Sequence, residues 1–200
     1  MWQFYHKTIT TSTNDDAAQI GSPYAVVVAD TQTSGRGRMG RSWLSPQGGL
    51  YASFAVPCPE TPHHLAMVAA VAVAGLDSRL LCKWPNDVML DGKKIAGILI
   101  ETGNDIAVIG IGVNLTPNDI GGFLPLDRDY VLDRISNNLR KYLEVYNECG
   151  FGVVRQKWLQ VAYKLGQTVQ VGDKAGIFTG ITDNGFMVLD NETVIISPGA

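Results

Sequence analysis

Arg36, Arg38 and Arg41 fall within six residues of one another, interleaved with Gly35, Gly37 and Gly40 in the stretch GRGRMGRS. Guanidinium forks and bare backbone N–H groups gathered in so small a volume suit an oxyanion-rich ligand such as a triphosphate. The same residues match the dinucleotide pattern G-x-G-x-x-G and nearly match the P-loop, with Arg41 standing where that pattern needs Lys. Both patterns seat the phosphate on the N-terminus of a helix that follows at once. Here SWLSPQGGLY follows, and Pro46 with Gly48-Gly49 breaks any helix. What remains is an anion loop free to order around its ligand, against the alternative of a merely solvated basic loop. Glycines at alternate positions favour the first, because their entropic cost is offset only if something approaches the backbone closely.

Other stretches carry chemistry of their own. In KWPNDV, Lys83 and Asp87 lie four residues apart across Pro85. Lys83 is expected to end a buried strand, where an ammonium needs an anion, although a plain Lys–Asp turn clip would use the same residues. In GKKIAGILIE, Lys94 opens a strand and Ala96-Gly97 leave room for a flat group against the backbone; small strand residues also serve packing alone. GIGVN interrupts another strand with Gly110 and Gly112 and closes on Asn114, whose amide can donate and accept. TSTN, Thr11–Asn14, reads by itself as a helix cap. His63 and His64 lack acidic or cysteine partners at ligand spacing, and His6 stands alone, so no metal ligands are expected from the chain. Cys58, Cys82 and Cys149 share no C-x-x-C spacing and read as reduced thiols.

The elements that must position these groups follow from periodicity and punctuation. Trp2–His6 and Tyr24–Asp30 read as strands flanking a short helix, with Ser12 or Thr13 as its cap and Asp15 and Asp16 in its first turn. LYASFAVP is a strand expected beside Tyr24–Asp30. Thr61–Ser78, rich in Ala, Val and Leu on every side, suits a buried helix. RLLCKWPNDVML reads as strand, interruption and strand, followed by a hairpin at Asp91-Gly92 and two further strands joined by a turn at Thr102–Asn104. Residues 116–129 read as loop. Two helices then run to Gly150 and to Leu165. Beyond Gly166 the pattern changes to short alternating strands with Gly-Asp and Asp-Asn-Gly turns, as in a small β-barrel. The expected organisation is therefore residues 1–165 as a catalytic or binding domain and 166–200 as a docked C-terminal domain.

Bulk properties exclude some classes. Two hundred residues, 46% of them hydrophobic, support one ordinary core with a small appendage. No apolar run reaches the ~20 residues of a membrane span, and the start lacks a secretion-signal layout, so a cytoplasmic location is the expectation. A net charge of −3 argues against a nucleic-acid footprint.

STN, GRGRMGRSW, KWPND, KKIAGILIE and GIGVNL, in this order and at these intervals, resemble the biotin protein ligases, and the resemblance extends over nearly the whole chain. It implies an α+β fold: a mixed, mainly antiparallel sheet flanked by helices, similar to class II synthetase and lipoate ligase domains, with a small C-terminal SH3-like barrel. It also implies ATP and biotin as substrates with Mg2+, a biotinyl-AMP intermediate, and transfer of biotin to a lysine of a biotin carboxyl carrier protein. By the same resemblance Ser12, Thr13 and Gln32 meet the ureido ring, Gly97 packs along biotin, and Asn14, Gly35, Arg36 and Trp43 are further binding residues. Lys83 lies at the biotin carboxylate, Asn114 on the nucleotide side, and Arg38, Arg41, Lys94 and Asp87 at the reacting groups. The chain begins only shortly before STN, so the expectation is the monofunctional type without a DNA-binding domain. A lipoate or octanoate ligase and a non-catalytic biotin or nucleotide module are the alternatives, with a DNA-binding regulator weakest. Exposed sheet edges leave a homodimer open.

Overall fold

The computed structural model describes residues 1–103, 105–117, 121–190 and 192–194. Its main element is a seven-stranded sheet of β1 (Gln3–Thr10), β2 (Ala25–Gln32), β3 (Leu50–Pro57), β4 (Leu81–Lys83), β5 (Asp87–Leu90), β6 (Lys93–Thr102) and β7 (Ile106–Val113). The spatial order is β1-β2-β3-β7-β6-β5-β4. Only β1 and β2 run parallel, since α1 (Thr13–Ile20) carries the chain back between them; the other pairs are antiparallel. The expected mixed, mainly antiparallel sheet is present, as is the hairpin at Asp91-Gly92, whose φ values of 50° and 76° are those of a left-handed two-residue turn. The expected turn at Thr102–Asn104 lies partly outside the described residues, as does the 116–129 loop.

Side-chain alternation sorts the sheet into two unlike faces. Val26, Val28, Phe54, Ile109 and Ile111 join the large core beneath α2 (His64–Ala74) and α3 (Arg128–Cys149). α2 can lie there because Ala, Val, Leu and Met surround it, and ten of its eleven residues are buried. Asp127 starts α3 by accepting the Tyr130 backbone N–H at 2.9 Å. On the opposite face only a small apolar cluster, Ala17 with Val27 and Val108, holds α1 to the sheet. The rest of that face carries Gly97, Gly110 and Gly112 and is roofed by the arginine loop.

A bulge tunes this face. Val88 pairs with Ala96 but Met89 pairs with Lys94, so β6 holds one extra residue at Ile95. Ile95 and Ala96 consequently both enter the core, while Lys94 and Gly97, three residues apart, come to the same opposite face.

After α4 (Phe151–Gln160), shorter than the expected run to Leu165, a second sheet forms from β8 (Thr168–Val171), β9 (Lys174–Ile181), β10 (Met187–Leu189) and β11 (Glu192–Val194). Its order is β11-β10-β9-β8, which corrects the expected SH3-like barrel: among the described residues β8 and β11 are opposite edges and do not pair. Three of the four strands have only three or four residues, too short to tilt and stagger around a closed cylinder. The open sheet instead lays Phe178, Ile181, Met187 and Leu189 into the main core, with Phe178 edge-on to Trp158 at 6.3 Å.

Candidate active site

Between α1, the arginine loop and the glycine-bearing face of β6 and β7 lies a cavity that gathers most of the residues singled out by type and spacing. Ser12, Asn14 and Gln32 line one wall, Arg36, Arg38 and Arg41 with Trp43 the roof, and Lys94 and Gly97 the floor. The floor is flat for a stereochemical reason. Gly97 and Gly112 are cross-strand partners, and Leu99 faces Gly110. A Cβ on Gly97 would stand 2.9 Å from Trp43, and one on Gly112 2.5 Å from it, so the indole lies against bare backbone. A Cβ on Gly110 would collide with the Asn14 amide. The Trp43 Nε1–H is buried without a hydrogen-bond partner among the described residues.

The wall is a continuous polar chain. Gln32 Oε1 accepts from the Thr13 backbone N–H (2.9 Å) and hydroxyl (3.1 Å), and Gln32 Nε2 donates to Ser45 Oγ (2.9 Å). Ser53 Oγ lies 2.7 Å from Thr13 Oγ1 and donates to Asn14 Oδ1 at 2.6 Å. Asn14 Nδ2 then donates to Glu101 Oε2 at 2.6 Å. Ser12 occupies the cap position of α1 but makes no capping bond with its side chain. Thr13 and Asn14, which read as cap residues, are thus structural members of the wall, fixed and almost fully buried.

The three loop arginines are not equivalent. Arg36 makes a bidentate pair with Asp15 at 2.8 and 2.6 Å and reaches Glu101 at 3.1 Å. The hydrogen bonds it donates to Asp15 and then Glu101 raise its pKa further, and the same guanidinium holds the Asp15 carboxyl below its usual range. Arg38 makes no ion pair among the described residues; its Nη1 donates to Asn86 Oδ1 at 3.3 Å. Burial, followed by the like charge of Arg41, lowers its pKa, which means that its charge is held at a cost an incoming anion would relieve. Arg41 Nε turns back to the Arg38 carbonyl at 3.2 Å. The loop is closed by an Arg36–Ser42 bridge and by Gly37 N–H donating to the Arg41 carbonyl at 2.6 Å. Only a three-residue 3-10 turn, Arg38–Gly40, interrupts it, with Met39 at φ 59°.

Lys94 pairs with Asp87 at 2.6 Å and sits 5.2 Å above the Trp43 ring. Lys83 is exposed at the end of β4, which corrects the expectation of a buried lysine. It is nevertheless the cross-strand partner of Asp87, itself the partner of Gly97, so it stands on the cavity-bearing face of the sheet although it does not line the cavity. Asn114 is also outside the cavity, where Nδ2 donates to the Gly122 carbonyl at 3.1 Å and pins the segment after β7. Gly35 lies beneath the loop, where a Cβ would meet the Trp43 carbonyl at 2.5 Å.

Sequence reasoning missed Ser45, Ser53, Asn86 and Glu101. Ser53 was detectable as the single serine in LYASFAVP; the others carry no local signal, because their partners are distant in the chain. Among the described residues no three His, Cys, Asp or Glu side chains converge as a metal cage.

The arrangement can therefore hold a flat polar ring beside the indole that covers the glycine floor, with positive charge that makes no ion pair among the described residues at one end for an anion. Similarity to known proteins agrees. The family model described as the biotin/lipoate A/B protein ligase family matches residues 2–118. A biotin–[acetyl-CoA-carboxylase] ligase of Paracoccus denitrificans is 33% identical over 219 residues, covering 90% of this chain and 91% of that protein. A bifunctional ligase/repressor of Bacillus subtilis is 33% identical over 225 residues, covering 93% of this chain and 68% of the other. A biotin protein ligase from Aquifex aeolicus, solved in complex with biotin and ATP, superposes with a TM-score of 0.89 at 26% identity over 100% of this chain and 98% of that one. Matched through its sheet, its loop and its length, the chain belongs to the biotin/lipoate A/B protein ligase family.

Proposed function

We propose that the chain is a biotin protein ligase: it condenses biotin with ATP to biotinyl-5'-AMP and passes the biotinyl group to a lysine of a biotin carboxyl carrier protein. The observation that carries the reading is the pairing of a ring-sized polar cavity with an unpaired, half-buried Arg38 at its end. In the first step the biotin carboxylate attacks the α-phosphorus and pyrophosphate leaves. An anion approaches a polyanion, so cations must screen both. Arg38 and Arg41 serve the phosphates, and Lys94, held by Asp87, serves the carboxylate together with Lys83 on the same face of the sheet. Mg2+ bound with the nucleotide would add to the screening of the phosphate charge, and no cluster of three His, Cys, Asp or Glu among the described residues would hold it.

In this reading Ser12, Asn14 and Gln32 recognise the ureido ring, Thr13 orients Gln32, and Gly97 with its neighbours accepts the ring face. Arg36 anchors the base of the loop, leaving Arg38 and Arg41 for the ligand, and the loop covers the hydrolysable mixed anhydride. Asp87 orients the acceptor amine or takes its proton. Residues 1–165 form the catalytic domain and 166–200 a docked second domain. No helix among the described residues is long and apolar enough to cross a membrane, and the three cysteines are free, which suits a cytoplasmic enzyme. The test is pyrophosphate release with biotin and with lipoate, followed by biotin transfer to an isolated carrier domain. Release with lipoate alone would assign the chain to the other branch of the family.

A further inference from the structure

A second concavity adjoins the first and differs from it in chemistry. It runs between the start of α2 (His63, Ala66, Met67), the Trp84–Asn86 turn, the Ile98–Ile100 part of β6, and Gly185 and Phe186 from the second sheet. Arg38, Asn86, Ile98 and Leu99 line both spaces, so the two meet at the charged end of the site. Away from that junction the walls are apolar, and the imidazole present is engaged, His63 Nε2–H donating to the Asn184 carbonyl at 2.7 Å. Nothing there could hold a ureido ring or a phosphate.

The far wall is fixed in place by the main body. Beside the His63 bond, Trp84 Nε1–H donates to the Gly185 carbonyl at 3.0 Å and Arg155 to the Ile181 carbonyl at 2.8 Å. Arg155 also meets Asp183 at 3.0 Å, and His63 stacks on Phe186 at 5.6 Å. The 181–186 loop is thereby held as a built wall.

Building on the ligase reading, we infer that this space is the entry passage for the acceptor lysine: its apolar walls take the four-methylene stem, and its polar end, at Arg38 and Asn86, delivers the amine to the acyl-phosphate. An apolar stem with a polar tip is what such a passage fits. Loss of water and the nearby Arg38 charge both disfavour an ammonium, so the lysine reaches the junction neutral, having left its extra proton in solvent. Its lone pair forms the C–N bond at the acyl carbon. The bond between the acyl carbon and the oxygen bridging to phosphorus breaks, AMP leaves with that electron pair and keeps the oxygen, and the second proton passes to solvent or Asp87. The second sheet thus contributes one side of the acceptor's route.

Ala66→Phe narrows the passage from α2, and Phe186→Ala removes its wall from the other side. For each variant, biotin-dependent pyrophosphate release is measured first. Transfer from preformed biotinyl-AMP is then compared between a biotin carboxyl carrier domain and hydroxylamine, a nucleophile too small to need the passage. The expected result is a rise of about tenfold or more in KM for the carrier domain, with pyrophosphate release and hydroxylamine transfer within about twofold of the parent. Unchanged carrier KM in both variants would overturn the inference, and so would an equal loss with hydroxylamine. If Ala66→Phe impairs folding, Phe186→Ala decides alone. Absence of pyrophosphate release in the parent protein would instead fault the ligase reading, and this inference with it.

Discussion

Gly112→Ala tests whether the glycine floor is what the site needs. The added methyl would lie 2.5 Å from Trp43 Cε2 and Nε1, whereas carbon atoms in contact prefer about 3.5–4.0 Å. The indole must therefore retreat by about 1 Å or more. The ring already lies close over the bare backbone of Gly97 as well, where a Cβ would stand only 2.9 Å from Cζ3, so it moves off the floor into the cavity and disturbs its contact with Lys94. Overpacking of this kind costs about 1–3 kcal/mol. Charged to ring binding, that predicts a rise in biotin KM of roughly tenfold to a hundredfold, at about 1.4 kcal/mol per tenfold. Pyrophosphate release would be followed with biotin varied and ATP saturating, then with the roles reversed; KM for ATP should move by less than about twofold. A smaller ring relieves the clash, so Trp43→Phe combined with Gly112→Ala should recover part of the loss, a non-additive result expected only if the two residues touch in solution. A biotin KM unchanged in Gly112→Ala, or strict additivity in the double variant, would refute the stacking argument.

Two further outcomes follow from the same geometry. Arg38→Gly removes a half-buried cation that makes no ion pair among the described residues along with a side chain of the lid, so biotinyl-AMP should escape and label bystander proteins such as serum albumin; tight retention of the adenylate by the variant would count against this role. His64 is buried against Phe151 at 3.7 Å with its Nε2 unpartnered among the described residues, and burial, then the nearby His63, lowers its pKa from 6.5 to about 4. The folded state resists protonation that the unfolded state accepts. Stability from this source is therefore full above about pH 6.5, declines as pH falls through that window and is lost below about 4, by on the order of 3 kcal/mol. Urea midpoints at pH 7.5 and 5 for the parent and His64→Phe would show it, the variant losing less on acidification.

What the sequence disclosed was local. Asp91-Gly92, the β-branched runs and the Ala-Val helix are each decided by neighbours a few residues away, and each forms as read. The GRGRMGRS loop was legible as a candidate anion site because its glycines and arginines are themselves the signal. Its division of labour was not, since the partners that neutralise Arg36 are Asp15 and Glu101, 21 and 65 residues away. Lys83 misled because a three-residue edge strand exposes alternate side chains, while the pattern around it suggested an interior strand. The barrel failed for a related reason. Alternation marks strands, but closure depends on whether the first and last of them meet, and no short window contains both.

Beside the apolar side chains that enter the core and the Phe186 ring on His63, the main body grips the second sheet by the carbonyls of Ile181, Asn184 and Gly185, with the Asp183 side chain, itself 88% exposed, adding little energetic weight. Contacts to main-chain oxygens are indifferent to residue identity. Thr182 Oγ1 accepts the Phe186 backbone N–H at 3.1 Å and holds the loop, so the side chains of Asp183 and Asn184 are the ones available for exchange without unseating the sheet, and libraries at those two positions become a practical route to ligases retargeted to new acceptor peptides.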